Sequence, residues 1–321
     1  MDLIYMNSEK EDVGVMPDYT LDLAFGSEEN DFECVVDIDH HVCQEGYYLY
    51  CEGSEYGGII DTIKVNTEME QITYAGRTWH GILQSKILEP DPGQDYLVFT
   101  GEANQVLEEL IYQMGLEDLF STPQEESGIQ INAYQMDRYI EGYDGIRKML
   151  KASGGKLTMQ FKNGWVELAA KPIVNYAESE QFEADQVGFD IEKKYRKLNH
   201  VIGLGKGELK DRLVVHVYAD ADGNTSDTQT FTGVNEVSET YEMTTTEDAD
   251  ELKKGCAEKI ATSWNLDEVE FSFESDLETF DVGDVLTAKE QVTGITVTAD
   301  ITKKIVTINE DGTTISYKVG E

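Results

Sequence analysis

The stretch Asp281-Val282-Gly283-Asp284-Val285-Leu286-Thr287-Ala288-Lys289 is followed by a turn at Thr293-Gly294. Ile295-Thr296-Val297-Thr298-Ala299-Asp300-Ile301 comes next, then Lys304 to Ile308, Asp311-Gly312 and Thr314 to Val319. Ile295, Val297, Ala299 and Ile301 recur every second residue, as they must on one face of a strand, and Val306 and Ile308 alternate with Ile305 and Thr307. Asn309-Glu310-Asp311-Gly312 supplies hairpin turn chemistry. The spacing predicts a β-meander that ends the chain. A meander with apolar residues on both faces leaves its edges open, so it is expected to curl into a small barrel or sandwich.

Working outward, 321 residues suffice for two or three domains with real cores, and 40% apolar content with 10% aromatics excludes a disordered chain. The first ten residues carry no basic segment before an apolar run, and no eighteen consecutive apolar residues occur anywhere, so neither an export signal nor a membrane span is expected. Cys34, Cys43, Cys51 and Cys256 are too few for a disulfide scaffold and read as reduced, buried side chains. Against 64 acidic residues stand 25 basic ones, a net charge of −39. Binding of duplex DNA or an anionic membrane requires Lys and Arg to displace counterions, so tight nucleic-acid binding is not expected.

Residues 1–100 read as a β-barrel-like domain of six short strands. Tyr19 to Phe25 alternates, Gly26 to Asp31 turns, and Phe32 to Ile38, Tyr47 to Cys51, Gly58 to Lys64 and Glu70 to Tyr74 follow. Ala75-Gly76-Arg77 then turns into a further strand, Thr78 to Ile87. Pro90-Asp91-Pro92-Gly93 marks a boundary, because proline cannot continue a ladder. From Gly101 the period becomes helical: Ala103, Val106, Leu107, Leu110, Ile111 and Met114 share a face, with Gly115 as the C-terminal cap. A second helix over Gly145 to Ala152 and a hairpin about Asn163-Gly164 complete a small α+β domain, residues 101–175. Residues 198–321 read as a second barrel-like domain carrying one helix, 246–264, capped by Thr244 with Glu247 and packed on the following meander. The expected class is α+β, mainly β: two small β-barrel-like domains with an intervening small α+β domain. A weak rhythmic echo between residues 58–76 and 294–312 raises a duplication that a single sequence does not settle.

The chemical motifs are weak. Gly203, Gly205 and Gly207 follow a strand but lead towards another strand, whereas a phosphate loop opens a helix, so the run reads as a turn. His40, His41 and Cys43, with Cys34 and Cys51 nearby, lack paired metal-ligand spacing. Asp220, Asp222, Asn224 and Asp227 resemble a calcium loop, but with the glycine misplaced and the distal glutamate missing they read as a hairpin turn. His80, His200 and His216 are scattered along the chain. Paired carboxylates carry no information where one residue in five is acidic, and no nucleophile or zinc-protease signature is present. No catalytic, cofactor-binding or metal-binding residue is assigned, and the expectation is a protein that is not an enzyme.

Three groups of residues carry a resemblance. They are Asn30-Asp31-Phe32 in the β-rich first part, Asn199-His200-Val201-Ile202 with Gly205-Lys206-Gly207-Glu208 and Asp211-Arg212, and Val282-Gly283-Asp284-Val285 with Gly294-Ile295-Thr296-Val297-Thr298-Ala299. In their order, with the small helix-plus-hairpin domain between, they resemble the tail hub proteins of long-tailed, siphovirus-type bacteriophages and prophages. The likeness covers nearly the whole chain and lies in order and rhythm more than in particular side chains. It implies two barrel-like domains per chain, with residues 176–197 completing the first. It also implies a homotrimeric ring matching the sixfold tail tube to the threefold tip, and a place in the virion tail after assembly in the bacterial cytoplasm. Implied partners are other copies, the distal tail or tube protein, the tape measure and tip or fibre proteins. The −39 charge then reads as an acidic channel that DNA passes without sticking. Two alternatives are a tail-associated peptidoglycan hydrolase, disfavoured by a chain that stops directly after its last strand, and a carbohydrate-binding tip protein using some of the 17 tyrosines.

Overall fold

A computed structural model describes residues 1–176, 182–183, 188–191, 197–264, 269–273, 280–289, 294 and 296–320. The turn expected at Thr293 and the strand start at Ile295 lie outside these, as does much of 176–197. The fold is mainly β with a few helices, in the expected α+β class, but among the described residues no closed barrel is present. The chain forms two compact units: one of residues 1–189 and 270–319, the other of 190–269 with 320–321.

In the larger unit, the strands Gly312–Gly320, Thr296–Asn309, Tyr19–Gly26, Asp31–Asp37, Gln71–Thr78, Gly57–Asn66, Tyr48–Tyr50, Ile4–Met6 and Asp12–Val15 hydrogen-bond in that spatial order. The closing meander therefore extends the N-terminal sheet: Lys303 pairs with Gly26 and Ile308 with Leu21. This differs from the expected grouping of 198–321, because the open edge of the meander is satisfied by the first strands of the chain. The two strands expected over 295–301 and 304–308 are one strand, Thr296–Asn309. Its first half pairs with Val285–Lys289 and its second half with Tyr19–Gly26. Where the partner changes, Gly26 (φ +145°) lies so close to Thr302 that an added Cβ would sit 2.1 Å from the Thr302 carbonyl oxygen.

The strand expected over Thr78 to Ile87 is also corrected. Gln71–Thr78 runs straight through Ala75-Gly76-Arg77, paired with Gly57–Asn66 on one side and Asp31–Asp37 on the other. Gly76 serves close backbone approach at a register shift, where a Cβ would meet the Ile59 carbonyl oxygen at 1.9 Å. Thr78 instead caps helix α1 (Trp79–Gln84), its Oγ1 accepting from the Gly81 N–H.

Residues 101–175 contain helix α2 (Ala103–Gln113), helix α3 (Gly142–Ala152) and the hairpin Gly155–Lys162/Trp165–Pro172, whose turn residues Asn163 and Gly164 have φ of 54° and 84°. Beyond α2, Leu116 donates to the Ile111 carbonyl and Gly115 to that of Tyr112, the paired bonds of a Schellman cap. The core here is continuous with that of the N-terminal strands. Trp79, Tyr50 and Met6 join Leu107, Leu110, Ile146, Leu150 and Phe161 in one cluster, with Tyr50 stacked on Phe161 at 3.9 Å. Each such buried side chain contributes roughly 1.5–3 kcal/mol, so the Pro90–Gly93 loop separates two parts of one core.

The smaller unit is a sheet ordered Thr225–Ser226, Val214–Ala219, His200–Leu204, Ser238–Glu242, with helix α4 (Ala249–Trp264) on one face. Leu252, Cys256 and Ile260 pack on Val201, Val215 and Val217. Expectation placed this helix on the closing meander; its partner is the preceding sheet, whose inward valines supply the apolar face. Its N-terminus differs as well: Asp248 Oδ1 accepts from the Asp250 and Glu251 N–H groups, and Thr246 accepts from Asp248.

Candidate functional site

Two polar constellations stand out. In the larger unit, Lys304 projects from the Thr296–Asn309 strand, 3% exposed, with its Nζ 2.7 Å from Glu55 Oε1. The rings of Phe25, Tyr56 and Tyr317 lie 6.0, 5.5 and 5.8 Å from that nitrogen. Burial works against the ammonium, yet Glu55, with the facing Tyr56 and Tyr317, outweighs it, and Lys304 titrates above the ordinary lysine range. Beside it, Lys156 of the inserted hairpin donates to both carboxylate oxygens of fully buried Asp284, at 2.6 and 2.7 Å, and pairs with Asp281 at 2.7 Å. Asp284 also accepts from the Val174 and Asp281 N–H groups. Gly53, Glu55, Tyr56, Gln160, Asp281 and Lys304 line an open cleft of about 230 Å³ here. Each cation meets a carboxylate from a distant part of the chain, so the arrangement clamps the N-terminal strands, the inserted hairpin and the closing strands together.

In the smaller unit, Glu236 Oε1, His200 and His216 form a chain: 2.7 Å from Glu236 to His200 Nδ1, and 2.8 Å from His200 Nε2 to His216 Nδ1. Tyr218 stacks on His200 at 4.3 Å. The two facing nitrogens share one hydrogen bond only while one of them lacks a proton, so the array holds with at most one ring cationic. Expectation had these histidines scattered. Cross-strand pairing of His200 with Tyr218 and of Ile202 with His216 brings them together. The available signal was the His200/Ile202 and His216/Tyr218 alternation, which becomes informative only once the hairpin register is known.

The remaining motif residues serve the fold. The four cysteines are buried, and burial pushes the thiols of Cys34 and Cys43 up to about 12. His41 Nδ1 lies 3.0 Å from the Tyr74 hydroxyl. Among the described residues no three His, Cys, Asp or Glu side chains are grouped as metal ligands. Asp220 Oδ1 accepts from the N–H groups of Asp222 and Asn224, closing the turn before Thr225. Gly207 (φ +111°) turns the chain against Asp211. His80 is sandwiched, stacked 4.1 Å over Phe25 and edge-on to Tyr143, and burial, aided by Arg147 and Lys304, pushes it down to about 3.

The chain thus combines an open sheet continued by its own C-terminal hairpin, an inserted α+β segment and a second small sheet, a mainly-β architecture. Solved structures of phage tail proteins share this fold over the whole chain. The 43 kDa tail protein of prophage MuSo2 from Shewanella oneidensis aligns at TM-score 0.55 and 11% identity, covering 99% of this chain and 98% of that one. A chain of the phage P2 baseplate in its activated conformation with Ca aligns at 0.53 and 11%, covering 99% and 98%. The tail protein of Neisseria meningitidis MC58 aligns at 0.51 and 12%, covering 100% and 96%. No protein-family model and no curated protein sequence matches the chain. The chain therefore has the fold of phage and prophage tail proteins.

Proposed function

We propose that this chain is a structural tail protein acting as the hub of a phage or prophage tail. Three copies form a ring that joins the tail tube to the tip, and DNA passes through a negatively charged axial channel. The observation that carries this reading is the end-to-end fold likeness to tail proteins of nearly equal length. Charge supports it: the net charge is −39, and Lys156, Lys303 and Lys304 are drawn into the interior. A lumen rich in carboxylates repels the DNA backbone and lets it slide. The proposed partners are other copies, the distal tail or tube protein, the tape measure and tip or fibre proteins, and the proposed location is the virion tail, reached by assembly in the host cytoplasm. The role requires no catalysis; among the described residues the two buried carboxylates of the larger unit have structural partners, Asp284 in Lys156 and Glu102 in the N–H groups that open α2. Native mass spectrometry tests the ring. A trimer supports the reading, and electron microscopy of assembled tails should place acidic residues along its axis; a monomer at high concentration together with a neutral channel would overturn it.

A further inference from the structure

The face of the smaller sheet turned away from α4 is organised in three cross-strand rows. They are Tyr218–His200–Ser238, His216–Ile202–Thr240 and Val214–Leu204–Glu242. Alternate residues of the same strands, Val201, Gly203, Val215 and Val217, point at α4, which fixes the orientation of these nine. His216, Thr240, Ser238 and Glu242 are exposed, and Val214 is 45% exposed. Across the chain, 28% of residues are Asp, Glu, Lys or Arg. Among these nine only Glu242 is, and it lies 3.7 Å from the Arg212 guanidinium. The outward side of α4 is ordinary by contrast, carrying Asp250, Lys253, Lys254 and Glu258.

This face exposes Val214, His216, Ser238 and Thr240 around half-buried Ile202, Leu204 and Tyr218 and buried His200, and with almost no net charge it has the composition of an interface centre, where charged residues are depleted. The partner follows from the charge. A basic partner would be drawn to the acids that cover the rest of the chain and would gain nothing from the patch that lacks them. A partner of the same sign is repelled everywhere else and can approach closely only at a charge-poor face. We infer that this face is the surface on which a neighbouring copy of the chain docks. In a closed ring the contact is heterologous, so the face meets a different surface of the next copy. The inference rests on the ring reading and adds the surface that builds it.

The test compares the full-length protein with Ile202→Glu, Thr240→Glu and, on the outer side of α4, Lys254→Glu, by native mass spectrometry and sedimentation. Thr240 is already exposed, so Thr240→Glu leaves folding intact where Ile202→Glu strains it, and circular dichroism checks both. A trimer whose association is weakened about 100-fold or more by Thr240→Glu, as a like charge forced into a contact would do, and left unchanged by Lys254→Glu, supports the inference. A trimer indifferent to Thr240→Glu overturns the face and leaves the ring. A dimer broken by Thr240→Glu supports the face as a self-contact and overturns the ring. A wild-type monomer at high protein concentration and about 0.15 M salt, where the Debye length is only about 8 Å, overturns both.

Discussion

His80 and Lys304 are ionisable residues inside one apolar core, and their environments drive them in opposite directions. Among the described residues His80 has no counterion, so burial holds it neutral, with its pKa pushed down to about 3. Below the ordinary value of about 6.5 the unfolded chain binds a proton that the folded chain refuses, so stability falls as pH drops from there towards 3. A shift of this size corresponds to a loss on the order of 4 kcal/mol for this group. Replacing it by a ring that cannot titrate, His80→Phe, should flatten the decline of the thermal midpoint between pH 6 and 4 relative to wild type. An unchanged slope would show that other groups dominate. Lys304 is held charged by Glu55, and the two partners are unequal: Lys304 is 3% exposed and Glu55 16%. Glu55→Gln leaves a buried ammonium without its carboxylate and should cost about 3–5 kcal/mol. Lys304→Met leaves a carboxylate at the cleft, where water reaches it, and should cost less. Thermal midpoints of the two variants decide the order. None of these pairs was legible in the sequence. With 64 acids present, any lysine has acidic neighbours in sequence, and the partner that matters comes from elsewhere in the fold.

Element boundaries were legible where local chemistry alone sets them, and illegible where a distant partner does. The Asn163-Gly164 hairpin, the glycine-capped α2 and the turn at Asp220 all follow from backbone conformations that few residues tolerate. The apolar period of Thr296–Asn309 breaks at Lys303 and Lys304 and so suggests two strands; their charges are answered by Glu29, an exposed carboxylate, and by Glu55 at the cleft, so the strand continues. The apolar residues of Trp79 to Gln84 fit a short buried run of either kind, strand or helix, and only the Thr78 cap distinguishes them. The junction between first and last strands depends on Gly26. Gly26→Ala places a Cβ 2.1 Å from the Thr302 carbonyl oxygen at a φ of +145°, and should cost at least about 3 kcal/mol by prising the two strands apart. Gly46→Ala is the control. It also has a positive φ, +80°, but its Cβ meets nothing within 4 Å, so it should cost only about 1–2 kcal/mol. Equal losses would show that conformation alone, and not strand apposition, is what Gly26 provides. Amide exchange along Tyr19–Gly26 would localise the effect.

At the scale of the whole molecule, the mainly-β class was legible and the division of the chain was not, because a C-terminal hairpin does not announce in sequence that its partner strand lies nearly three hundred residues earlier. Charge is the property that acts across the entire surface, and it makes the assembly prediction specific. Chains carrying −39 repel one another over distances set by the Debye length, which shrinks from about 30 Å at 0.01 M salt to about 8 Å at 0.15 M. A contact built from opposite charges would weaken over that range, since screening removes its attraction. A contact made on a charge-poor sheet face loses nothing to screening and gains relief from the repulsion around it. Self-association should therefore strengthen as salt rises, with the equilibrium in sedimentation shifting from single chains to the ring between those two ionic strengths. Thr240→Glu should make the salt dependence steeper by adding one more repelling charge at the contact, while Lys254→Glu makes the net charge more negative by two, twice the change of Thr240→Glu, but away from the contact. If Lys254→Glu moved the midpoint more than Thr240→Glu, net charge alone would govern association and the sheet face would have no special part; if salt dissolved the assembly, the contact would have to be sought among the surface ion pairs instead.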